Sequence, residues 1–240
     1  MAGESANDWL ATPLGRTVIE LESCVLQEAL ADVFGFETLQ IGRWGDETRL
    51  GESIRTQHHR WVAPDASGRG AIRAHFDALP VTSASVEAVL LPHTLEYAPS
   101  PHELLREAER VLVGDGHLVV CGFNPVGPWG LRHLAGRRRF PPPVHRLLAE
   151  GRLRDWLRLL GLEVVVARRY LFAPPWASRS PGDGARWLER RGPDLLPTLA
   201  GAYLVKARKR VRALTPIRPV WHRAPAVVGG LAEPTTRNAA

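Results

Sequence analysis

The chain of 240 residues has only two cysteines, Cys24 and Cys121, and both lie in apolar sequence. Two cysteines do not make a disulfide framework, so a reducing cytoplasm is the simplest location for this protein. The amino terminus has no basic region followed by an apolar run, and no signal peptide is predicted. No apolar stretch approaches the roughly 18 residues that a membrane-spanning helix needs. The sequence therefore predicts no membrane partner.

Metal-ligand spacing is also missing, because the nine histidines and two cysteines never fall at the separations typical of zinc sites. We therefore predict no metal site. Acidic residues are absent from 195 to 232, whereas seven Lys and Arg residues occur there. Together with the basic run at 132–139, the run at 206–212 makes nucleic acid a candidate partner, because clustered arginines bind phosphate. Such runs are more often simply solvated surface.

The stretch 76–123 carries the clearest local signals and reads as strand, helix and strand. An apolar run at 86–91 is typical of a strand buried on both faces. Ser100 precedes a proline and has Glu103 three residues later, the pattern of a helix amino terminus. Gly114 and Gly116 are expected to end that helix before a second strand at 117–121. This βαβ unit predicts a parallel sheet.

Helical and strand patterns alternate along the rest of the chain, which indicates an α/β domain in layers. We predict an extension at 1–16, the folded domain at 17–212 and a flexible, basic, proline-rich tail at 213–240. Further helices are predicted at 17–34, where a capping box at Thr17 marks the start, at 50–55, and in a segment that ends at Gly161. Further strands are predicted at 38–41, 60–63, 71–76, 162–167 and 202–205. The segments 124–130 and 174–193 are interpreted as loops, because they are rich in proline and glycine.

Four motifs follow one another in the sequence: DALP at 77–80, HTLEYAP at 93–99, RVLVGDG at 110–116 and LRDWLRLLG at 153–161. In this order they resemble the class I S-adenosylmethionine-dependent methyltransferases, of the methyltransferase type 11 kind. The resemblance implies a Rossmann-like, three-layer, doubly wound sheet of about seven mostly parallel strands, the last antiparallel. It also implies S-adenosylmethionine as the cofactor.

In such sheets the ligand lies beyond the carboxyl ends of the strands, where the strand order reverses. The resemblance places the glycine loop after the first strand against the cofactor, the segment after the third strand near the adenine, and His93 beside the methyl-transfer cleft. The implied cofactor-binding residues are Gly42, Trp44, Gly45, Asp77, Ala78, Leu79 and His93. Histidine is a common general base, so His93 is also the candidate catalytic residue.

The glycine loop departs from the family pattern at two positions. Gln40 stands where the family has an acidic residue, and Trp44 stands where it has a glycine. No acidic residue ends the second strand in the usual place, and Asp65 is the nearest substitute. The sequence therefore supports two hypotheses: a methyltransferase with an unassigned acceptor, or an inactive methyltransferase-like module that binds an anionic partner such as RNA.

Overall fold

The computed structural model describes residues 8–45, 54–66, 70–135, 140–141, 144–176, 183–210 and 230. The strands are β1 (Glu37–Ile41), β2 (His58–Ala63), β3 (Ala71–Arg73), β4 (Val86–Pro92), β5 (Leu112–Phe123), β6 (Leu162–Tyr170) and β7 (Ala202–Lys209). The helices are α1 (Pro13–Ala29), α2 (Thr94–Tyr97), α3 (Pro101–Val111), α4 (Pro128–Ala135), α5 (Glu150–Leu159) and α6 (Asp183–Leu195), followed by a 3-10 turn at Pro197–Leu199.

The strands form one sheet in the order β3-β2-β1-β4-β5-β7-β6. β1 pairs in parallel with both β2 and β4, whereas β7 runs antiparallel to β5 and β6. This confirms the predicted seven-stranded, mostly parallel sheet with its last strand antiparallel. Because the chain leaves β1 toward one edge and returns beside it as β4, the strand order reverses between these two strands. That reversal is where α/β sheets bind their ligands.

Both faces of the sheet are covered, because side chains on the central strands alternate between two apolar clusters. On β5, Leu118 and Val120 pack on the face that holds α3 and α5, while Val119 and Cys121 pack on the face that holds α1 and α4. Successive residues of a strand point to opposite faces, so an uninterrupted apolar run is what two covered faces require. The result is the predicted three-layer arrangement.

The first helix begins earlier than predicted. Thr12 is its N-cap, with Oγ1 accepting a hydrogen bond from the Gly15 amide (3.2 Å), and Pro13 occupies the first turn. The predicted capping residue Thr17 lies inside the helix and donates to the Pro13 carbonyl (3.2 Å). The helix ends at Ala29 rather than near residue 34. Trp9 and Leu10 join the core, so the packed part of the chain begins before the predicted boundary at residue 17.

The prediction for α3 was correct at its start and wrong at its end. Ser100 is the N-cap, although its side chain makes no capping hydrogen bond. The helix gives way to β5 at Leu112, so Gly114 and Gly116 lie within the strand. A Cβ at Gly116 would lie 3.1 Å from the Glu87 carbonyl oxygen of the neighbouring strand. The glycine there permits close packing of two strands rather than ending a helix.

Two predicted loops contain helices. α4 lies in and beyond the proline- and glycine-rich segment 124–130, and α6 lies within 174–193 and extends past it. Pro193 stands in the last turn of α6, where it interrupts less of the helix than a central proline would. Most of the short helix predicted at 50–55 lies outside the described residues, as does the tail apart from residue 230, and residues 54–55 are not helical.

Candidate functional site

Two loops meet at the reversal of the strand order. β1 ends at Ile41 and continues into Gly42, while β4 ends at Pro92 and continues into His93. Thr94 ties the loops together, because its hydroxyl donates a 2.5 Å hydrogen bond to the Ile41 carbonyl. Both loops therefore lie side by side at the carboxyl edge of the sheet, where the sequence predicted them.

His93 is fully buried and has a left-handed backbone conformation (φ 58°). That conformation is unfavourable for a residue with a side chain and persists only where the surroundings enforce it. The ring lies between two carboxylates: Nε2 is 2.7 Å from Glu22 Oε1, and Nδ1 is 2.8 Å from Glu96 Oε2. We call Glu22, His93 and Glu96 the buried triad.

The two carboxylates determine the protonation of His93. Burial by itself would lower the pKa of this histidine, but the charges and hydrogen bonds of Glu22 and Glu96 outweigh burial and raise the pKa to about 9. At neutral pH the ring is therefore an imidazolium, and each N–H donates to one carboxylate. Burial also raises the pKa of Glu96, whereas the charge of His93 and the amide of Phe123 oppose that shift.

Every oxygen of the triad has a hydrogen-bond donor. Besides His93, Glu22 accepts from Trp44 Nε1 (2.7 Å) and from the Tyr170 hydroxyl (3.2 Å). The second oxygen of Glu96 accepts from the Phe123 amide (2.6 Å). A buried ionic network is tolerable only when its members are satisfied in this way.

Aromatic rings enclose the triad. Trp44 and Phe123 both pack against the His93 ring, with ring centroids 4.3 Å and 4.2 Å away. Trp129 stacks on Phe123 at 5.7 Å, and Trp9 lies 6.0 Å from Trp44. Trp44 is only 1% exposed. On this side of the edge, the chain's own rings occupy the space above the strand ends. We call this the closed side.

The two glycines of the first loop are required by packing. Gly42 has φ 93°, and a Cβ there would lie 2.2 Å from the Tyr97 hydroxyl and 2.5 Å from Thr94 Oγ1. Gly45 has φ 74°, and its Cβ would lie 2.7 Å from Ile19 Cδ1. Any other residue would be strained at both positions, and at Gly42 it would also collide with Thr94. Contacts within the protein thus account for the glycines, and a ligand-binding role for them stays a prediction.

The other side of the edge carries exposed acidic groups, and we call it the open side. Asp65 follows β2 and Asp77 follows β3, and both are exposed. Burial raises the pKa of the Tyr97 phenol, and the charge of Asp65 adds to that increase. Phe76 also lies beside Tyr97, with ring centroids 6.2 Å apart.

The predicted segment 77–79 is only partly available to a ligand. Asp77 and Ala78 are exposed, but Leu79 is buried in the core. The Leu79 amide already donates to Glu107 on α3 (2.9 Å). Four of the predicted site residues therefore lie near one another: Gly42, Trp44, Gly45 and His93. Asp77 and Ala78 lie on the open side.

The sequence prediction missed Glu22, Glu96 and Tyr170. Glu22 stands between Val18 and Leu26 at intervals of four, on the apolar face of α1. A charged residue in that position is the signal that could have identified it, because unpaired charges are not buried on a helix face. Nothing in the sequence pairs it with His93, 71 positions away.

The predicted role of His93 as a general base stays a prediction, and this geometry weighs against it. A base needs a free lone pair within reach of the acceptor. Here both ring nitrogens donate to carboxylates, and the ring is buried. In this arrangement His93 instead holds α1 against the loop after β4.

A separate cavity of about 210 Å³ lies further along the same edge, near the ends of β5 and β6. Its charged lining residues are Glu150 and Arg169, which pair with each other (2.8 Å), and Glu150 also pairs with Arg154 (2.5 Å). The remaining lining is Asn124, Val126, Ala149, Gly151, Thr198, Ala202 and Tyr203.

Three comparisons with known proteins bear on the family and the fold of this chain. Residues 50–120 match the family model for a methyltransferase domain. The uncharacterized protein YafS of Escherichia coli (strain K12) is 35% identical over 209 residues, which cover 86% of this chain and 82% of that protein. The uncharacterized protein Rv2003c of Mycobacterium tuberculosis is 31% identical over 180 residues, which cover 71% of this chain and 62% of that protein.

Among solved structures, the complex between the Haloferax volcanii Trm112 methyltransferase activator and a methyltransferase contains a chain of the same fold. It matches with a TM-score of 0.62 at 15% identity, covering 88% of this chain and 99% of that one. At this identity the likeness concerns the fold alone. It agrees with the seven-stranded, mostly parallel sheet described above.

Proposed function

Since the chain belongs to the class I S-adenosylmethionine-dependent methyltransferase family, we propose that it transfers the methyl group of S-adenosylmethionine to an acceptor held at the carboxyl edge of its sheet. The observation that carries this proposal is the meeting of the Gly42 and His93 loops at the reversal of the strand order. When bound, the cofactor supplies a methyl group on a positively charged sulfur. The protein then contributes mainly by positioning the two reactants.

The open side fits the adenosine half of the cofactor. Asp65 presents an exposed carboxylate just beyond β2, and carboxylates accept hydrogen bonds from ribose hydroxyls. Phe76 offers an aromatic surface beside Tyr97, and Ala78 leaves backbone accessible for an adenine. These residues would bind the nucleoside without any change in the core.

The closed side fits the methionine half less well. Trp44 replaces a family glycine, and its ring fills the space against His93. Gln40 replaces the family acid, and its amide is bonded to the Gly42 carbonyl (3.1 Å) within the loop. We therefore propose that the open side provides most of the binding energy and that the buried Trp44 ring limits how far the methionine half enters the edge.

The direct test is isothermal titration calorimetry with S-adenosylhomocysteine, the product form of the cofactor. We expect micromolar affinity, on the order of −8 kcal/mol. Asp77→Ala should weaken binding, whereas Asp155→Ala, which removes an exposed aspartate from α5, should leave it unchanged. Absence of heat with the wild-type protein, together with no competition by S-adenosylmethionine, would refute cofactor binding.

The burial of Trp44 also favours a second candidate, a methyltransferase-like module that has lost activity and binds an anionic partner. The basic run at 206–212 supports this weakly, because its described members are engaged within the protein. Lys206 is buried and paired with Asp32, and Lys209 pairs with Glu109 (3.0 Å). Cofactor binding without methyl transfer to any acceptor in a cell extract, followed with labelled cofactor, would favour this candidate.

A further inference from the structure

Three segments form a continuous structure over the carboxyl edge, and one of them contains α4. We call them the cap: residues 124–135, 171–176 and 187–199. Hydrogen bonds join them to one another. Arg132 on α4 donates to the Pro175 carbonyl (2.6 Å), and Glu189 on α6 accepts from the Leu171 and Ala173 amides (3.0 Å each). Asn124 closes the ring by donating to the Thr198 carbonyl (3.0 Å).

The cap exposes an unusual amount of apolar side chain. On α4, Trp129 faces the core, yet Leu131 and Leu134 on the outer face are 62% and 74% exposed. A surface helix normally has polar residues on its outer face. Eight of the twelve large hydrophobic residues exposed in the described parts of the chain belong to the cap: Val126, Leu131, Leu134, Trp176, Trp187, Leu195, Leu196 and Leu199. Their concentration in one region indicates an interaction surface.

The cap also carries positive charge. Its three segments contain Arg132, Arg190 and Arg191 against Glu189 and Asp194, and the sequence run 132–139, which begins on α4, has four arginines and no acidic residue. On the cap itself, Arg190 and Arg191 are exposed close to Trp187. Glu189 is bonded to backbone amides of the cap, so its charge is directed inward.

We propose that the cap docks onto anionic lipid membranes, with its leucines and tryptophans entering the interface and its arginines facing the lipid phosphates. Exposed Trp and Leu accompanied by Arg are the composition of surfaces that lie in a bilayer interface. A phosphate-binding role alone would account for the arginines and leave Leu131 and Leu134 unexplained. An anionic bilayer accounts for both sets of residues, because its phosphates attract the arginines and its interface buries the leucines.

This docking requires no membrane-spanning segment, and among the described helices none is long and apolar enough to cross a bilayer. The sequence prediction of no membrane partner considered only spanning segments. Peripheral docking depends instead on which side chains the fold leaves exposed. It is also independent of the cofactor, so it can be tested separately from the proposed activity.

The test is flotation of the full chain with vesicles of phosphatidylglycerol and phosphatidylcholine, compared with phosphatidylcholine alone. We expect binding to the anionic vesicles only. The double substitution Leu131→Ser with Leu134→Ser should weaken binding about tenfold. Leu159→Ser is the matched control, because Leu159 is 85% exposed on α5, outside the cap.

A second pair of variants tests the charges. Arg191→Gln should weaken binding to anionic vesicles about fivefold, and added salt should also weaken it. Arg106→Gln, at an exposed position on α3, should leave binding unchanged. Circular dichroism and the melting temperature confirm that each variant is folded.

Several results would overturn the proposal. They are failure of the wild-type protein to float with anionic vesicles, equal flotation of the Leu131/Leu134 variant, and self-association without lipid that this variant abolishes. Tight binding of an RNA oligonucleotide that needs the arginines but not the leucines, with no vesicle binding, would assign the surface to nucleic acid instead. None of these results depends on whether the protein binds S-adenosylhomocysteine.

Discussion

The open and closed sides of the carboxyl edge are built from opposite kinds of residue. On the open side, Asp65 and Asp77 stand exposed beyond β2 and β3. On the closed side, the triad is buried, and rings such as Trp44 cover it. Both sides lie at the carboxyl ends of neighbouring strands in one sheet, so the sheet topology alone does not decide which part of the edge receives a ligand. Side chains supplied by α1 and by the loop after β1 make the difference.

The largest expected change in stability and affinity comes from Trp44→Gly. This substitution removes a ring that covers the closed side and restores the family's glycine. Removing a buried tryptophan should lower the free energy of unfolding by about 4 kcal/mol. It should also increase the affinity for S-adenosylhomocysteine, because space beside Gly42 becomes available. Urea denaturation and calorimetry measure the two effects.

If Trp44→Gly does not fold, Trp44→Leu leaves a smaller cavity and tests the same idea. Affinity that stays unchanged or falls in a folded variant would mean that Trp44 does not obstruct the cofactor.

A slightly smaller loss of folding stability is expected when the buried triad loses one charge. Glu22→Gln keeps the shape of the side chain but leaves the imidazolium with one carboxylate, which should cost about 3–4 kcal/mol of folding free energy. Glu28→Gln removes an exposed charge from the same helix and should change stability by less than about 0.5 kcal/mol. If urea denaturation shows a similar change in the free energy of unfolding for both substitutions, the buried triad contributes no more to stability than an exposed charge does.

The triad also predicts how stability depends on pH. The folded pKa of His93 is about 9, above the unfolded value of 6.5, so the folded state binds more protons between these values. Its contribution, on the order of 3 kcal/mol, is therefore complete below pH 6.5 and is lost as the pH rises to about 9. Burial lowers the pKa of His59 and His117, so these residues affect stability only below pH 6.5.

The check is the free energy of unfolding measured between pH 6.5 and 9, for the wild-type protein and for His93→Gln. Stability of the wild type should fall across this range, and the variant should show a much flatter dependence. The same slope in both proteins would mean that His93 is not the group that titrates.

The smallest expected effect concerns the open side. Asp65→Asn should weaken S-adenosylhomocysteine binding about tenfold, since it removes a charged acceptor for ribose hydroxyls. Asp115→Asn, at an exposed turn within β5, is the control. Because Asp65 is exposed, stability should be unchanged in both variants. Normal affinity in Asp65→Asn would remove the main reason for placing the ribose there.

The fold was largely predictable from the sequence because its signals are local. Apolar runs and capping residues that lie near one another in the chain predict β4, the start of α3, and the parallel pairing of β4 with β5. Errors arose where local signals compete, as with Thr12 and Thr17 at the start of α1. α6 was missed because Gly192 and Pro193 at its end are typical of loops.

The site was predictable only in part. Family motifs placed Gly42 and His93 at the correct edge, but the partners of His93 come from tertiary contacts. Glu22 reaches it from α1, and Tyr170 reaches Glu22 from the end of β6. A sequence pattern predicts which residues share one face of a helix or strand. It does not predict which faces of distant elements pack together.

The contrast between the two sides is tested most directly by hydrogen–deuterium exchange with and without S-adenosylhomocysteine. We expect the ligand to slow exchange in the segment containing Asp77 and Ala78 and to leave the segment Thr94–Tyr97 unchanged. Protection confined to Thr94–Tyr97, or no protection in either segment at saturating ligand, would contradict this expectation.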